Sequence, residues 1–140
     1  MQRNHQKRGL LLLTAGVLGL GLAIGLSAKD AWTAPESAAS VKNPLADNAA
    51  AVTAGKKIYE DRCADCHGSK GKGDGPAATD LDPKPGDLSK ASMNDQPDGA
   101  LFWKISEGKK PMPTYKSKLS EEQRWQVINY VRTLAPKNNK

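Results

Sequence analysis

The amino-acid sequence predicts a small all-α domain. Two segments, at residues 50–62 and 120–136, place apolar residues at the three- and four-residue spacing of a helix. No segment shows the convincing alternation of apolar and polar residues that a half-buried strand needs. Residues 67–89 contain eight Gly and Pro residues, a density that no regular element tolerates, so we expect a long loop there. At 140 residues, the chain has room for one domain plus extra segments.

The first predicted helix of the domain spans residues 50–62. Val52, Gly55 and Tyr59 fall on one face of this helix, and Ile58 lies beside them. The helix runs directly into Cys63, so we expect it to position the cysteine motif that follows.

Two further helices are predicted after the long loop. Pro97–Glu107 suits a helix with proline in its first position, and Gly108 is placed to end it. The last helix has the clearest signals, because Ser120 and Gln123 form a capping box and Pro136 stops the helix. Its apolar face consists of Val127, Tyr130, Val131 and Leu134.

The N-terminus indicates export from the cytoplasm. An uncharged run of 19 residues, Leu10–Ala28, follows three basic residues, so residues 1–28 are predicted to be a signal peptide or an N-terminal membrane anchor. A 19-residue helix is roughly 28 Å long, close to the ~30 Å core of a bilayer, and no good cleavage site follows it. We therefore favour an anchor in the cytoplasmic membrane that holds the domain on the periplasmic side. Residues 29–49 are predicted to be a flexible linker, 50–136 the folded domain and 137–140 a polar tail.

The net charge of +6 does not indicate a nucleic-acid-binding protein. Three of the basic residues, Arg3, Lys7 and Arg8, belong to the export segment. The remaining 18 basic and 15 acidic residues are interleaved rather than arranged in a stripe with aromatic residues.

The motif Cys63-Ala64-Asp65-Cys66-His67 is the strongest functional signal. A zinc site would need a fourth ligand, and the only other histidine is His5 in the export segment. A thioredoxin-like Cys pair would need a βαβ context, and a structural disulfide would not need His67. Cys-x-x-Cys-His is the attachment signature of c-type haem, with His67 as an iron ligand. A haem would also complete the core, because residues 51–135 hold only 19 large apolar side chains.

The second axial ligand of such a haem is predicted to be a methionine. No other histidine lies in the domain, which leaves Met93 and Met112 as soft donors. Met112 lies between Pro111 and Pro113, which stiffen the backbone, whereas Met93 lies in a polar stretch that we expect to be flexible. We therefore predict that Met112 ligates the iron; either methionine could instead fill the core.

About 85 of the 140 residues resemble the class I monohaem cytochromes c of bacteria. The resemblance rests on Gly55 and Tyr59, Cys63–His67, the loop 71–76, the Met112 segment and the closing helix with Trp125, Val127 and Tyr130. It implies the cytochrome c fold, with three or more short helices wrapped around a covalently bound haem c, one per chain.

The resemblance also implies several contacts. The first and last helices would cross near Gly55, with Tyr59 against Val127 and Tyr130. The Pro76 carbonyl would accept a hydrogen bond from Nδ1 of His67. Only three residues separate Gly108 from Met112, fewer than in many relatives, so the haem-propionate partners are less defined. Trp103 and Tyr115 are the candidates for that role.

The function implied is single-electron transfer between membrane-associated respiratory redox proteins, with no small-molecule substrate. Two alternatives remain: a fixed haem subunit of a larger quinol-oxidising or oxidase complex, and a haem enzyme such as a peroxidase. In this fold, two lysine-bearing segments border the exposed haem edge and could dock an acidic partner. The alternative is a surface that serves only solubility. These lysines are Lys70, Lys72, Lys109, Lys110, Lys116 and Lys118.

Overall fold

A computed structural model describes residues 32–137, and their architecture is helical, as the sequence predicts. The two short 3₁₀ helices, Pro76–Asp80 and Ala91–Asp95, lie in the long segment between the third and fourth α-helices. Within the described residues, the only β-type pairing is an isolated bridge between Lys109 and Met112. The α-helices are α1 (Glu36–Ala39), α2 (Ala49–Arg62), α3 (Ala64–His67), α4 (Asp98–Glu107) and α5 (Glu121–Leu134).

The predicted signal or anchor at residues 1–28 lies outside the described residues, and so does most of the polar tail at 137–140. Between residues 32 and 137, no helix is both long enough and apolar enough to cross a bilayer. The domain predicted at 50–136 lies wholly within the described part.

Among the helices that the structure describes, α2 and α5 make the most extensive contact. Their backbones touch at Gly55, where a Cβ atom would lie 1.9 Å from the carbonyl oxygen of Gln126. Beside the crossing, the rings of Tyr59 and Tyr130 pack with centroids 5.1 Å apart. Tyr59 and Val127 are fully buried in the same apolar cluster. The crossing expected at Gly55 is therefore confirmed.

The helix ends follow the signals in the sequence. The Ser120 hydroxyl accepts from the backbone N–H of Gln123 at 3.1 Å, and the Gln123 side chain accepts from the N–H of Ser120 at 2.9 Å. The predicted capping box of α5 is confirmed. Asn48 caps α2 with its side-chain oxygen, a signal that the sequence reading missed. Helix α4 begins at Asp98, one residue later than predicted, because Pro97 occupies the N-cap position.

The segment 67–89 is not entirely loop, in contrast to the prediction. Pro76 opens a 3₁₀ helix, for which its fixed φ angle is suited. The Lys84 ammonium then donates to the carbonyls of Ala78 and Thr79, at 3.1 and 2.6 Å. These bonds stabilise a short turn that a count of glycines and prolines does not predict.

Residues 32–48, the N-terminal strap, pack on α4 and α5, whereas the sequence predicted a flexible linker at 29–49. The side-chain amide of Asn43 donates to Asp98 at 2.8 Å and to Oδ1 of Asn129 at 2.7 Å. The Asn129 amide donates in turn to the carbonyl of Leu45. The linker was predicted because the segment has few apolar residues. The contacts that hold it are polar instead, and Asn43 alone supplies two of them.

Arg132 extends the polar contacts around the strap. Its guanidinium pairs with the Asp98 carboxylate at 2.6 Å and donates to the carbonyls of Met93 and Gln96. Both charged side chains are about three-quarters buried, with 24% and 26% of their surfaces exposed. The strap, the second 3₁₀ helix, α4 and α5 therefore meet in one polar cluster.

Candidate haem site

The cysteine motif lies at the end of α2 and forms a short helix of its own. Cys63 follows the last residue of α2, and α3 then carries Cys66 and His67. The carbonyl of Cys63 accepts from the backbone N–H groups of Cys66 at 3.2 Å and His67 at 2.8 Å. Both thiols are free and partly buried, so the pair does not form the structural disulfide considered as an alternative.

A contact with a backbone carbonyl holds the His67 ring. Its Nδ1 lies 3.2 Å from the carbonyl oxygen of Gly86, and a carbonyl only accepts, so Nδ1 carries the proton. Nε2 then keeps its lone pair for a metal. Burial lowers the pKa of His67, which favours the neutral ring that metal binding requires.

The carbonyl partner of His67 is Gly86, not Pro76 as the resemblance implied. Pro76 begins a 3₁₀ helix, whereas Gly86 follows Pro85 farther along the same Pro-rich segment. Several carbonyls next to prolines follow the motif, and the sequence does not reveal which of them reaches the imidazole. The Pro85–Gly86 pair is the sequence feature that could have indicated the Gly86 carbonyl as the partner of His67.

The Cys63 thiol differs from the reactive thiol of a redox-active Cys pair. Burial raises the pKa of Cys63 to about 12, with a smaller contribution from the neighbouring Cys66. Reactive cysteines in Cys-x-x-Cys oxidoreductases have lowered pKa values, because the thiolate is the nucleophile. The environment of Cys63 therefore favours a thioredoxin-like role even less than the sequence did.

Two buried tyrosines hold the backbone on either side of the motif. The Tyr59 hydroxyl donates to the carbonyl of Gly68 at 2.7 Å, directly after His67. The Tyr115 hydroxyl donates to the carbonyl of Arg62 at 2.7 Å, directly before Cys63. Its proton is therefore not available to a haem propionate, the role expected from the sequence. Trp103 lies half-buried on α4, and its predicted propionate contact stays a prediction.

Met112 lies on a tight loop that its own backbone closes. The N–H of Lys109 donates to the Met112 carbonyl at 3.1 Å, and the N–H of Met112 donates to the Lys109 carbonyl at 2.8 Å. Gly108 opens this loop at a φ of +66°, where a side chain would be strained. The Met112 side chain is half-buried.

Met93 has a different environment from the one expected. It lies on the second 3₁₀ helix with 8% of its surface exposed, in the main apolar cluster. The Gln96 amide donates to its sulfur at 3.5 Å. The predicted flexible stretch is thus ordered and its methionine fills the core, which leaves Met112 as the candidate ligand.

All six lysines of the expected docking face are exposed. Lys116 pairs with Glu107 at 3.3 Å, and the Lys118 ammonium lies 5.8 Å from the centroid of the Tyr115 ring. The remaining lysines of this face, all of them exposed, are Lys70, Lys72, Lys109 and Lys110.

The residues present fit a covalently attached haem. Two free thiols lie within one turn, an imidazole has the required tautomer, and a half-buried thioether sits on a closed loop. Thiols that add to the vinyl groups, with a histidine and a methionine as axial ligands, are the donor set of a c-type haem.

Comparisons with known proteins identify the family of the domain that contains this site. A family model described as "Cytochrome c" matches residues 52–135. No curated protein matches the chain.

Among solved structures, a chain of the reducing HAO-like protein complex Kustc0457/Kustc0458 of Kuenenia stuttgartiensis is 32% identical, with a TM-score of 0.59. The match covers 66% of this chain and 47% of that one. Cytochrome cL of Methylophaga aminisulfidivorans is 21% identical with a TM-score of 0.53, over 66% of this chain and 60% of that one. The KustC0563 c-type cytochrome is 25% identical with a TM-score of 0.52, and the match covers 59% of this chain and 98% of that one.

The chain spans about half the length of the first of these proteins and 60% of the second. What they share with it is a fold over 59–66% of this chain. The chain belongs to the cytochrome c family, and its cofactor is the haem c that this family binds covalently.

Proposed function

We propose that the chain carries single electrons between redox proteins outside the cytoplasm, with one haem c held by Cys63, Cys66, His67 and Met112. One observation carries the proposal: the hydrogen bond between His67 Nδ1 and the Gly86 carbonyl, which prepares Nε2 to bind iron. Membership of the family supports haem-based electron transfer.

In electron transfer, the side chains of the protein would bind the iron and hold the backbone around it. A bound haem c supplies an iron that alternates between the ferrous and ferric states. His67 and Met112 would both bind the iron, and an iron held by two protein ligands supports electron transfer rather than bond chemistry. Tyr59 and Tyr115 hold the backbone on both flanks of the motif, so little of the chain has to rearrange when the charge changes.

The location and partners follow from the same proposal. Cytochrome c domains are typically extracytoplasmic, and the basic and apolar segment at 1–28 supports export. Anchoring by that segment stays a prediction, which N-terminal sequencing of the mature protein tests. Respiratory redox proteins with an acidic face are the expected partners of the exposed lysines.

The decisive experiment is spectroscopy of the purified haem protein. Haem should remain on the denatured chain after acid–acetone extraction. The oxidised protein should show the weak sulfur-to-iron band at the red end of the visible spectrum, and Met112→Ala should abolish it. Met93→Leu is the matched control and should keep the band, because Met93 lies in the core. Loss of the band in the control alone would overturn the assignment of Met112.

A second candidate function is that of a fixed haem subunit in a larger redox enzyme. It is supported by the 32% identical solved chain, which belongs to a protein complex. Affinity purification of this chain from solubilised native membranes distinguishes the two. A stoichiometric set of co-purifying chains would favour the subunit, and a single chain would favour the mobile carrier.

A further inference from the structure

The loop that carries Met112 is attached at its base to helix α4. Thr114 Oγ1 donates to the carbonyl of Ser106 at 2.6 Å, and the N–H of Tyr115 donates to the carbonyl of Ile105 at 3.1 Å. Arg124, on α5, donates to the Ser106 hydroxyl and reinforces this attachment. These bonds fix the loop relative to α4 and α5, but they do not reach the end of α2, which leads into the cysteine motif.

The side chain of Tyr115 makes that connection. It is 9% exposed, and its hydroxyl donates to the carbonyl of Arg62, 53 residues earlier in the chain. Arg62 is the last residue of α2, where carbonyls lack partners within the helix. The bond therefore satisfies a helix-end carbonyl and joins the methionine loop to the residue before Cys63.

The rest of Tyr115 is also fixed. Its carbonyl accepts from the backbone N–H groups of Lys118 at 3.0 Å and Leu119 at 2.9 Å, which forms the turn that leads to α5. Burial raises the pKa of Tyr115 to about 12. Movement of the loop away from the motif would have to break the bond to Arg62 and leave the hydroxyl of the buried Tyr115 without this partner.

We propose that Tyr115 is a positioning residue for Met112: its hydrogen bond to the Arg62 carbonyl holds the methionine loop beside the cysteine motif and so favours the iron-bound state of the thioether. This inference rests on the proposed ligation of iron by Met112. It assigns to Tyr115 a role that acts through the polypeptide, and not through the haem propionates.

Imidazole binding to the oxidised haem protein tests the proposal. Exogenous imidazole takes the position of the methionine only when the loop opens, so its apparent affinity measures how readily Met112 leaves. Tyr115→Phe keeps the ring and removes the hydroxyl. We expect the apparent imidazole affinity to rise about 5-fold, the effect of one lost buried hydrogen bond. The sulfur-to-iron band should also disappear at a lower temperature.

Tyr59→Phe is the matched control. It removes another buried hydroxyl that donates to a backbone carbonyl at 2.7 Å, but on the histidine side of the motif. Both variants should unfold at lower denaturant concentrations, and only Tyr115→Phe should change imidazole binding more than about twofold. Equal imidazole affinities in wild type and Tyr115→Phe would overturn the positioning role. Absence of the sulfur-to-iron band in the wild type would instead overturn ligation by Met112.

Discussion

The side-chain amide of Asn43 lies 2.7 Å from Oδ1 of Asn129, a residue 86 positions later in the chain. This contact joins the N-terminal strap to the middle of α5. The family model begins at residue 52, so the strap is an addition to the part of the fold that the family model describes.

Asn43→Ala should release the strap. The substitution removes the hydrogen bonds to Asp98 and Asn129, and we expect the free energy of unfolding to fall by about 1–2 kcal/mol. Limited proteolysis should cut within residues 32–48 sooner than in the wild type. Ser40→Ala is the control, because its exposed hydroxyl bonds only to Ser37 within the strap. Identical digestion of Asn43→Ala and wild type would show that the strap is held by other contacts.

Gly55→Ala should damage the contact between α2 and α5. A methyl group at this position would overlap the Gln126 carbonyl, so the helices must separate, and we expect a loss of roughly 3 kcal/mol of stability. Denaturant unfolding of the haem protein measures the effect. Gly86→Ala is the control, because a Cβ there would meet no atom within 4 Å and its φ is not positive. A midpoint for Gly55→Ala within error of Gly86→Ala would contradict the close approach.

Charge reversal at Lys110 and Lys118 should slow electron exchange with an acidic redox partner. Electrostatic steering raises the encounter rate, and it weakens above ~0.1 M salt, where the screening length is about 10 Å. The second-order rate constant from stopped-flow mixing should fall with each reversal and with salt, while the visible spectrum stays unchanged. Lys42→Glu makes the same charge change in the strap and should leave the rate near that of wild type. A rate indifferent to salt would argue for a surface that serves only solubility.

Ser89→Ala should raise the pKa of Asp87. The Ser89 hydroxyl and backbone N–H both donate to this carboxylate, at 2.6 and 2.9 Å, and these bonds lower its pKa. A carboxyl with a lowered folded-state pKa adds stability above its unfolded pKa, and this is lost as the pH falls through the folded value. NMR titration of the Asp87 carboxyl should show a pKa closer to the ordinary value in the variant. Ser117→Ala, at an exposed position elsewhere, should not move it.

The sequence was most informative where local chemistry determines structure. The capping box of Ser120 and Gln123 and the haem motif each follow from residues a few positions apart, whereas the close approach at Gly55 is what the family resemblance implied. These signals predicted the helical fold and the attachment of haem c.

The errors share one physical cause. The carbonyl that reaches His67, the partner of the Tyr115 hydroxyl and the packing of the strap depend on contacts between residues far apart in the chain. Composition and spacing do not encode which of several equivalent carbonyls is close. Polar contacts such as those of Asn43 also occur in segments with few apolar residues, where sequence patterns predict disorder.

The contact between α2 and α5 joins two helices that are far apart in the sequence. Helix α2 and the strap both pack on α5, the last α-helix of the described residues. The last residue of α2 directly precedes Cys63, so a variant that separates α2 from α5 should also loosen the backbone that leads into the cysteine motif.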